Sequence, residues 1–163
     1  MRKTLLSAAV VLLGAVLAAA AAAAPISETA ITGPYSVTLK VLPAESFTGA
    51  KAEMAWDAGA KPVTLDSAAR PNHHMVAFVE RDGHPMEQAT VTIRYRQEEP
   101  GMPEWRMLPV ARMHVAGKGA ATTHYGNNVR LEPGRWSVEV TVDGSQPALF
   151  HFTLPGGSRP AGH

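Results

Sequence analysis

The sequence contains no cysteine among its 163 residues. Without thiols the folded chain can form no disulfide, so its stability has to come from the packing of its secondary structure. Any metal site has to use histidine, methionine, aspartate or glutamate side chains as ligands. The absence of cysteine therefore excludes both disulfide stabilisation and metal binding through thiolates.

Charge of one sign is not in excess either. The chain has 15 Lys and Arg residues against 14 Asp and Glu residues, and the basic residues do not cluster. A protein that binds nucleic acid generally needs a basic surface to hold the phosphate backbone. We therefore expect no nucleic-acid partner.

The common catalytic motifs are missing as well. The sequence has no G-x-S-x-G elbow, no glycine-rich phosphate loop at a strand-to-helix turn and no H-E-x-x-H pair. Each of these motifs places a nucleophile, a phosphate cradle or a catalytic metal in a defined local structure. Without them, we predict that the protein is not an enzyme.

The N-terminus has the pattern of a secretory signal peptide. Two basic residues precede an apolar stretch from Leu5 to Leu17, and an alanine run ends at Ala24. The alternative is a membrane anchor, because residues 5–24 are about as long as a bilayer core is thick. Alanine is only weakly apolar, however, and no basic stop-transfer cluster follows. We predict cleavage near Ala24, with Pro25 leaving the position open by a few residues, and export of a mature chain without a membrane span.

From residue 35 onward, short β-type runs are separated by Pro, Gly and Asp, and no long window has helical periodicity. Val138, Val140 and Val142 alternate with polar residues, which predicts a strand with one buried face. Seven or eight short strands with regular turn signals are typical of an all-β, immunoglobulin-like antiparallel sandwich. The predicted strands are 35–42, 50–56, 75–81, 89–97, 105–115, 123–131, 136–142 and 148–154.

The length of the mature chain suits one domain with one hydrophobic core. The segment 25–34 has no periodic pattern, and the C-terminal residues are rich in Gly and Pro. We therefore predict flexible ends on either side of the sandwich. The expected organisation is a signal peptide at 1–24, a flexible extension at 25–34, the β-sandwich at 35–154 and a flexible tail at 155–163.

Histidine and methionine gather near the predicted strand ends, at His73, His74 and Met75, at Met113 and His114, and at His124. Imidazole and thioether ligands together suit copper, Cu(I) in particular, better than Mg²⁺ or Ca²⁺. Neighbouring residues of a strand point to opposite faces, so only one of His73 and His74 can face a given site.

The segment His124-Tyr125-Gly126-Asn127-Asn128-Val129 resembles the H-Y-G-x-N-[IV] segment of the periplasmic high-affinity iron-transport protein family. These are small exported immunoglobulin-like proteins that bind copper and assist iron uptake. The sequences at 92–95 and 134–140 are similar to that family's T-I-x-Y strand and glycine–aromatic strand, so the likeness covers about residues 73–142. It implies a periplasmic copper-binding protein accessory to iron or copper uptake or homeostasis. The implied partner is an inner-membrane metal permease or a second copy of the chain.

The resemblance also implies a ligand set. His124 matches the metal-binding His of H-Y-G, His73 matches the upstream His, and Met113 matches the Met of the strand before H-Y-G. A second alignment places Val110 in that last position and leaves the site without a thioether. The further candidates are His74, Met75 and His114.

This chain departs from the family pattern at two places. Met75 stands where the family has an acidic residue two positions after its upstream His, and the later insertion with another His ligand is absent. A thioether in place of a carboxylate favours Cu(I) over harder ions such as Fe³⁺. The sequence thus predicts a copper site, for Cu(I) or Cu(II), and leaves the iron role open.

The alternative function is that of an immunoglobulin-like module that binds another envelope protein without a metal, since sandwiches serve many unrelated functions. Trp105 lies beside the acidic, proline-rich segment 98–104. If exposed, it would be a natural anchor, because aromatic residues are enriched at interface hot spots. Convergence of His73, Met113 and His124 within about 5 Å would distinguish the two functions, since shared ligation requires it.

Overall fold

The computed structural model describes residues 25–47, 52–98 and 104–156. The predicted signal peptide and most of the predicted tail lie outside these residues. In the described part of the chain we find no helical segment with the length and hydrophobicity that a membrane span requires. Its strands are β1 (Ile26–Thr32), β2 (Tyr35–Pro43), β3 (Met54–Gly59), β4 (His73–Arg81), β5 (His84–Pro85), β6 (Val91–Gln97), β7 (Arg106–Leu108), β8 (Ala111–Val115), β9 (His124–Val129), β10 (Gly134–Val142) and β11 (Ala148–Leu154).

The strands form two antiparallel sheets that pack as a β-sandwich, which confirms the predicted fold class. One sheet has the order β1-β2-β4-β9-β8-β3, with the short β5 paired to β4. The other has the order β11-β10-β6-β7. The described residues thus form eleven strands, more than the seven or eight expected, because several are short or lie at sheet edges.

The main core lies between the two sheets and follows from the alternation of the strands. Val37, Leu39 and Val41 of β2 are buried against Val138 and Val140 of β10 in one continuous cluster. Aromatic residues of β10 and β11 complete this cluster. Burial of one such aliphatic or aromatic side chain contributes about 1.5–3 kcal/mol, so the alternating valines provide much of the driving force for the sandwich.

The turn between β10 and β11 also ties distant strands together. Asp143 and Gly144 both have positive φ angles, 47° and 74°, which a tight hairpin turn requires. The Asp143 carboxylate accepts hydrogen bonds from the Thr90 backbone N–H at 2.7 Å and from the Tyr35 hydroxyl at 3.1 Å. One turn residue therefore connects the start of β6 and the start of β2.

The structure corrects the expected N-terminal extension, because residues 26–32 form β1. This strand pairs with β2 from Ile26 opposite Val41 to Thr32 opposite Tyr35, and Gly33, with a φ of 55°, turns the chain between them. The periodic signal was weak because β1 is an edge strand whose side chains are mostly exposed. Its backbone ladder, rather than a buried face, holds it in place.

Two predicted strands also have different bounds. The predicted strand 105–115 is two strands: β7 belongs to the four-stranded sheet and β8 to the seven-stranded sheet. They are separated by Pro109 and Val110, and proline has no backbone N–H to continue a ladder. The predicted strand 50–56 is found at Met54–Gly59, and its first residues lie outside the described part of the chain.

Candidate metal centre

The candidate centre lies on the outer face of the seven-stranded sheet, the face turned away from the four-stranded sheet. A second, smaller hydrophobic cluster packs there, which we call the outer cluster. It consists of buried Val76, Ala111 and Met113 with partly buried Phe47 and Phe78. The sheet therefore buries side chains on both faces, and the outer one contains histidines as well as apolar groups.

Strand register brings the candidate ligands onto this face. His124 of β9 is directly opposite Met113 of β8, and His74 of β4 is directly opposite Asn128 of β9. Directly opposed residues of antiparallel strands place their side chains on the same face of the sheet. His74, His124 and Met113 thus come from three neighbouring strands and share the outer face.

His74 and His124 form what we call the imidazole pair. Their ring centroids are 5.9 Å apart, and the rings are nearly perpendicular, at 86°. Their exposed fractions are 0% and 1%. Two fully buried histidines in contact are unusual, because a buried polar group needs a partner for each of its polar atoms.

Each imidazole of the pair has one satisfied nitrogen and one without a partner. His74 Nδ1 lies 2.9 Å from Asn128 Oδ1, and His124 Nδ1 lies 2.8 Å from the backbone oxygen of Thr122. Both partners are oxygens that only accept, so each Nδ1 carries the hydrogen. Each Nε2 is then a free lone pair, and both Nε2 atoms are buried with no hydrogen-bond partner.

Burial keeps both rings neutral. Burial, followed by the effect of the neighbouring His124, lowers the pKa of His74 from its ordinary value to about 4, against the opposite effects of Asn128 and Glu53. Burial also lowers the pKa of His124, against the effect of its hydrogen bond to Thr122. A neutral imidazole with an unprotonated Nε2 is the form that binds a metal ion.

Aromatic side chains cover the imidazole pair. Phe47 meets His74 edge-on with ring centroids 5.8 Å apart, and Phe78 lies beside His124 at 5.1 Å. The Lys40 ammonium sits 4.6 Å above the Phe78 ring, a cation–π contact. The pair therefore lies in an apolar surrounding that excludes water.

A pair of carboxyl groups lies at the margin of this region. Glu45 and Glu53 share a side-chain hydrogen bond, and partial burial together with Glu53 raises the pKa of Glu45 to about 7. The same hydrogen bond lowers the pKa of the exposed Glu53. One negative charge near His74 is thus carried mainly by Glu53.

The leading upstream candidate, His73, does not join the pair. As the neighbour of His74 on β4 it points to the opposite face, where it lines a cleft with Leu131 and Leu154. Its Nδ1 bonds the Asn72 side chain at 2.8 Å. The structure therefore brings His74, one of the further candidates, rather than His73 beside His124, and Met113 is directly opposite His124 on the neighbouring strand.

Met75 and His114 lie in other surroundings, although the charge of His114 lowers the pKa of the nearby His124. Met75 is fully buried but belongs to the main core between the sheets. The His114 Nδ1 faces Asp57 Oδ2 at 3.0 Å beside a surface cleft. Val110, which the second alignment places at the thioether position, is partly buried against the main core.

The sequence reasoning missed Asn128, whose side-chain oxygen fixes the ring of His74. Asn128 is the asparagine of the H-Y-G-x-N pattern, but the pattern does not show that this side chain bonds to His74. Phe47 and Phe78, which cover the two rings, have no such signal. Their role depends on contacts between distant segments.

The candidate centre comprises two imidazoles and, on the neighbouring strand, one thioether. In the residues that the structure describes, no three His, Asp or Glu side chains cluster in a way that could hold a metal ion. A ligand set of two imidazoles and one thioether, without a carboxylate, suits a soft metal ion.

Trp105, the side chain expected to anchor a protein partner if exposed, is not fully exposed. Trp105 is half-buried, with the guanidinium groups of Arg94 and Arg96 at 4.9 and 4.6 Å from its ring. The Trp105 ring thus makes cation–π contacts within the chain.

Comparison of the chain with protein-family models, curated proteins and solved structures finds no match.

Proposed function

We propose that the protein binds one copper ion, as Cu(I), between His74, His124 and Met113, and serves periplasmic copper or iron uptake or homeostasis. The observation that carries this proposal is the pair of buried Nε2 atoms without a partner. A buried polar atom left unsatisfied costs about 1–3 kcal/mol. Two of them on one buried pair of rings are best explained by a ligand that accepts both lone pairs.

The absence of charge on the three proposed ligands favours a monovalent metal ion. All three side chains are neutral, so the bound ion would keep its full charge in a buried, apolar place. The cost of burying a charge rises steeply with its size, so Cu²⁺ or Zn²⁺ would cost more than Cu(I). Near His124 the Asp57 carboxylate and the Lys40 ammonium act in opposite directions. Cu(I) combines the lowest charge with a preference for thioether ligands.

The biological role rests on the resemblance of the H-Y-G-x-N segment and on the predicted export. A copper carrier in an oxidising compartment benefits from methionine, because a thioether does not form disulfides. The proposed partner is an inner-membrane metal permease or a second copy of the chain.

Anaerobic titration with Cu(I) in the presence of a chromophoric competing chelator tests the proposal. The purified protein should take up about one equivalent, and the His74→Ala and His124→Ala variants should bind at least about a hundredfold more weakly, because each removes a ligand. Circular dichroism and thermal unfolding of each variant establish that it folds.

The neighbouring His73 provides a matched control. It is the same residue type on the same strand, one position away, but faces the other side of the sheet. His73→Ala should bind copper as the wild type does. The proposal is wrong if the wild type binds no copper, or if His73→Ala loses binding while His74→Ala keeps it.

A further inference from the structure

We infer that Asn128 is the positioning residue of the centre: its amide fixes the His74 ring with Nε2 as the free lone pair and holds the two covering segments in the same arrangement. This inference rests on the proposed function, because it concerns how that site is presented to the metal. It follows from the four hydrogen bonds of one buried side chain.

The hydrogen bonds of Asn128 leave no choice in the orientation of its amide. Its Oδ1 accepts the Glu45 backbone N–H at 3.0 Å, and its Nδ2 donates to the backbone oxygens of Glu45 at 2.8 Å and Val63 at 2.9 Å. A backbone N–H only donates and a backbone oxygen only accepts. Oδ1 is therefore the atom that faces His74.

This orientation decides the tautomer of His74. Because Oδ1 only accepts, the His74 Nδ1 at 2.9 Å must carry the hydrogen. The second hydrogen position, Nε2, is then empty and available to a metal ion. A partner that fixes the tautomer and ring orientation of a ligating histidine typically affects metal affinity by about 10- to 100-fold.

The same amide joins the ring to the segments that cover it. Glu45 belongs to residues 44–47, which lead from β2 across the outer face to Phe47, and Val63 belongs to the segment between β3 and β4. These residues are 83 and 65 positions away from Asn128 in the chain. Asn128 therefore bonds both covering segments with the same amide orientation that orients the His74 ring.

Asn127 offers a matched control, since it is a buried asparagine on the same strand with the same kind of bonds. Its Nδ2 donates to the backbone oxygens of Lys61 and Pro109, and its Oδ1 accepts the Val63 N–H at 2.7 Å. It ties down a covering segment as Asn128 does but has no bond to an imidazole. A purely structural role would make the two residues equivalent.

The test combines the tautomer of His74 with the affinity for Cu(I) in wild type, Asn127→Leu and Asn128→Leu. Long-range ¹H–¹⁵N correlation spectra of the metal-free protein should show Nδ1–H and unprotonated Nε2 for His74 in the wild type and in Asn127→Leu. Asn128→Leu should shift His74 towards the Nε2–H form and weaken Cu(I) binding about 10- to 100-fold. Asn127→Leu should weaken Cu(I) binding less than Asn128→Leu does.

Asn128→Asp separates the two roles and serves if Asn128→Leu does not fold. The carboxylate keeps an acceptor for His74 Nδ1–H but loses both donations to the covering segments, so the tautomer should be retained. The inference is overturned if wild-type His74 carries its hydrogen on Nε2, or if Asn127→Leu weakens binding as much as Asn128→Leu. If the wild type binds no copper, the proposed function fails, while the spectra of the metal-free protein still decide the role of Asn128.

Discussion

His74 and His124 stand edge to face, 5.9 Å between ring centroids, and each has its Nδ1 bonded to an oxygen that can only accept. The two contacts come from different sources, a side-chain amide for His74 and a backbone carbonyl for His124. Both lead to the same result, an imidazole whose Nε2 is unprotonated and buried. This agreement between two unrelated contacts is the basis of the predictions that concern copper.

The thioether of Met113 is expected to contribute to Cu(I) affinity. Met113→Leu keeps nearly the same volume, so its cost in the free energy of unfolding should stay below about 1.5 kcal/mol. Cu(I) binding should weaken because leucine offers no ligand atom. Met75→Leu is the control: Met75 is also fully buried, but in the main core, and its replacement should leave binding unchanged. Equal affinity of both variants would remove Met113 from the ligand set.

His74 should make the metal-free protein less stable as the pH is lowered from 6.5 towards 4. In this window the unfolded chain binds a proton at His74, while the folded chain, with the pKa of His74 at about 4, does not. At about 1.4 kcal/mol per pKa unit, the loss from this residue is at most about 3–4 kcal/mol. The lowered pKa of His124 acts in the same direction. Urea unfolding at several pH values measures the slope, and the His74→Ala variant should have a shallower one.

Glu45 should oppose this trend. Its pKa is raised to about 7 in the folded protein, so between pH 7 and 4.5 the folded chain holds a proton that the unfolded chain releases. Stability from this group is present at low pH and is lost as the pH rises. Glu45→Gln resembles the protonated form, so the variant should lose more stability between pH 7 and 5 than the wild type. An unchanged slope would mean that the Glu45–Glu53 contact has no effect on the proton balance.

Gly126 should not tolerate a side chain. A Cβ atom at this position would lie 2.0 Å from the Met75 backbone oxygen and 2.8 Å from Val76 Cα, so β4 and β9 would have to separate. We expect Gly126→Ala to cost about 3 kcal/mol or more. Gly144→Ala is the control: it has open space but a φ of 74°, which costs about 1 kcal/mol. Denaturant unfolding should rank the two variants in this order.

The sandwich could be predicted because apolar and polar residues alternate in several strands, which indicates that one face of each strand is buried. Val138, Val140 and Val142 alternate with less buried neighbours in β10, and this pattern alone places the main core. β1 was not predicted because backbone pairing with β2 at the sheet edge holds it in place, and such pairing requires no alternating apolar pattern. The division of residues 105–115 between two sheets was not predicted because a single apolar run contains no information about which sheet each half joins.

The choice between His73 and His74 could not be made from the sequence. β4 is apolar on both faces, with Met75 and Ala77 on one side and Val76 on the other, so alternation does not identify the face that the site occupies. The bonds that complete the centre join Asn128 to segments more than 60 residues away. Only the folded chain reveals such contacts, whereas the pairing of Met113 with His124 follows from neighbouring strands.

The burial of the imidazole pair has a kinetic consequence. With exposed fractions of 0% and 1%, neither ring can meet a copper donor or acceptor until the covering segments move away. Release of a bound ion would then be first order, with a rate set by the opening of the backbone and independent of acceptor concentration once the acceptor is in excess. Residence time would then depend on the loop contacts that keep the covering segments closed, in addition to the affinity that the ligands and Asn128 provide.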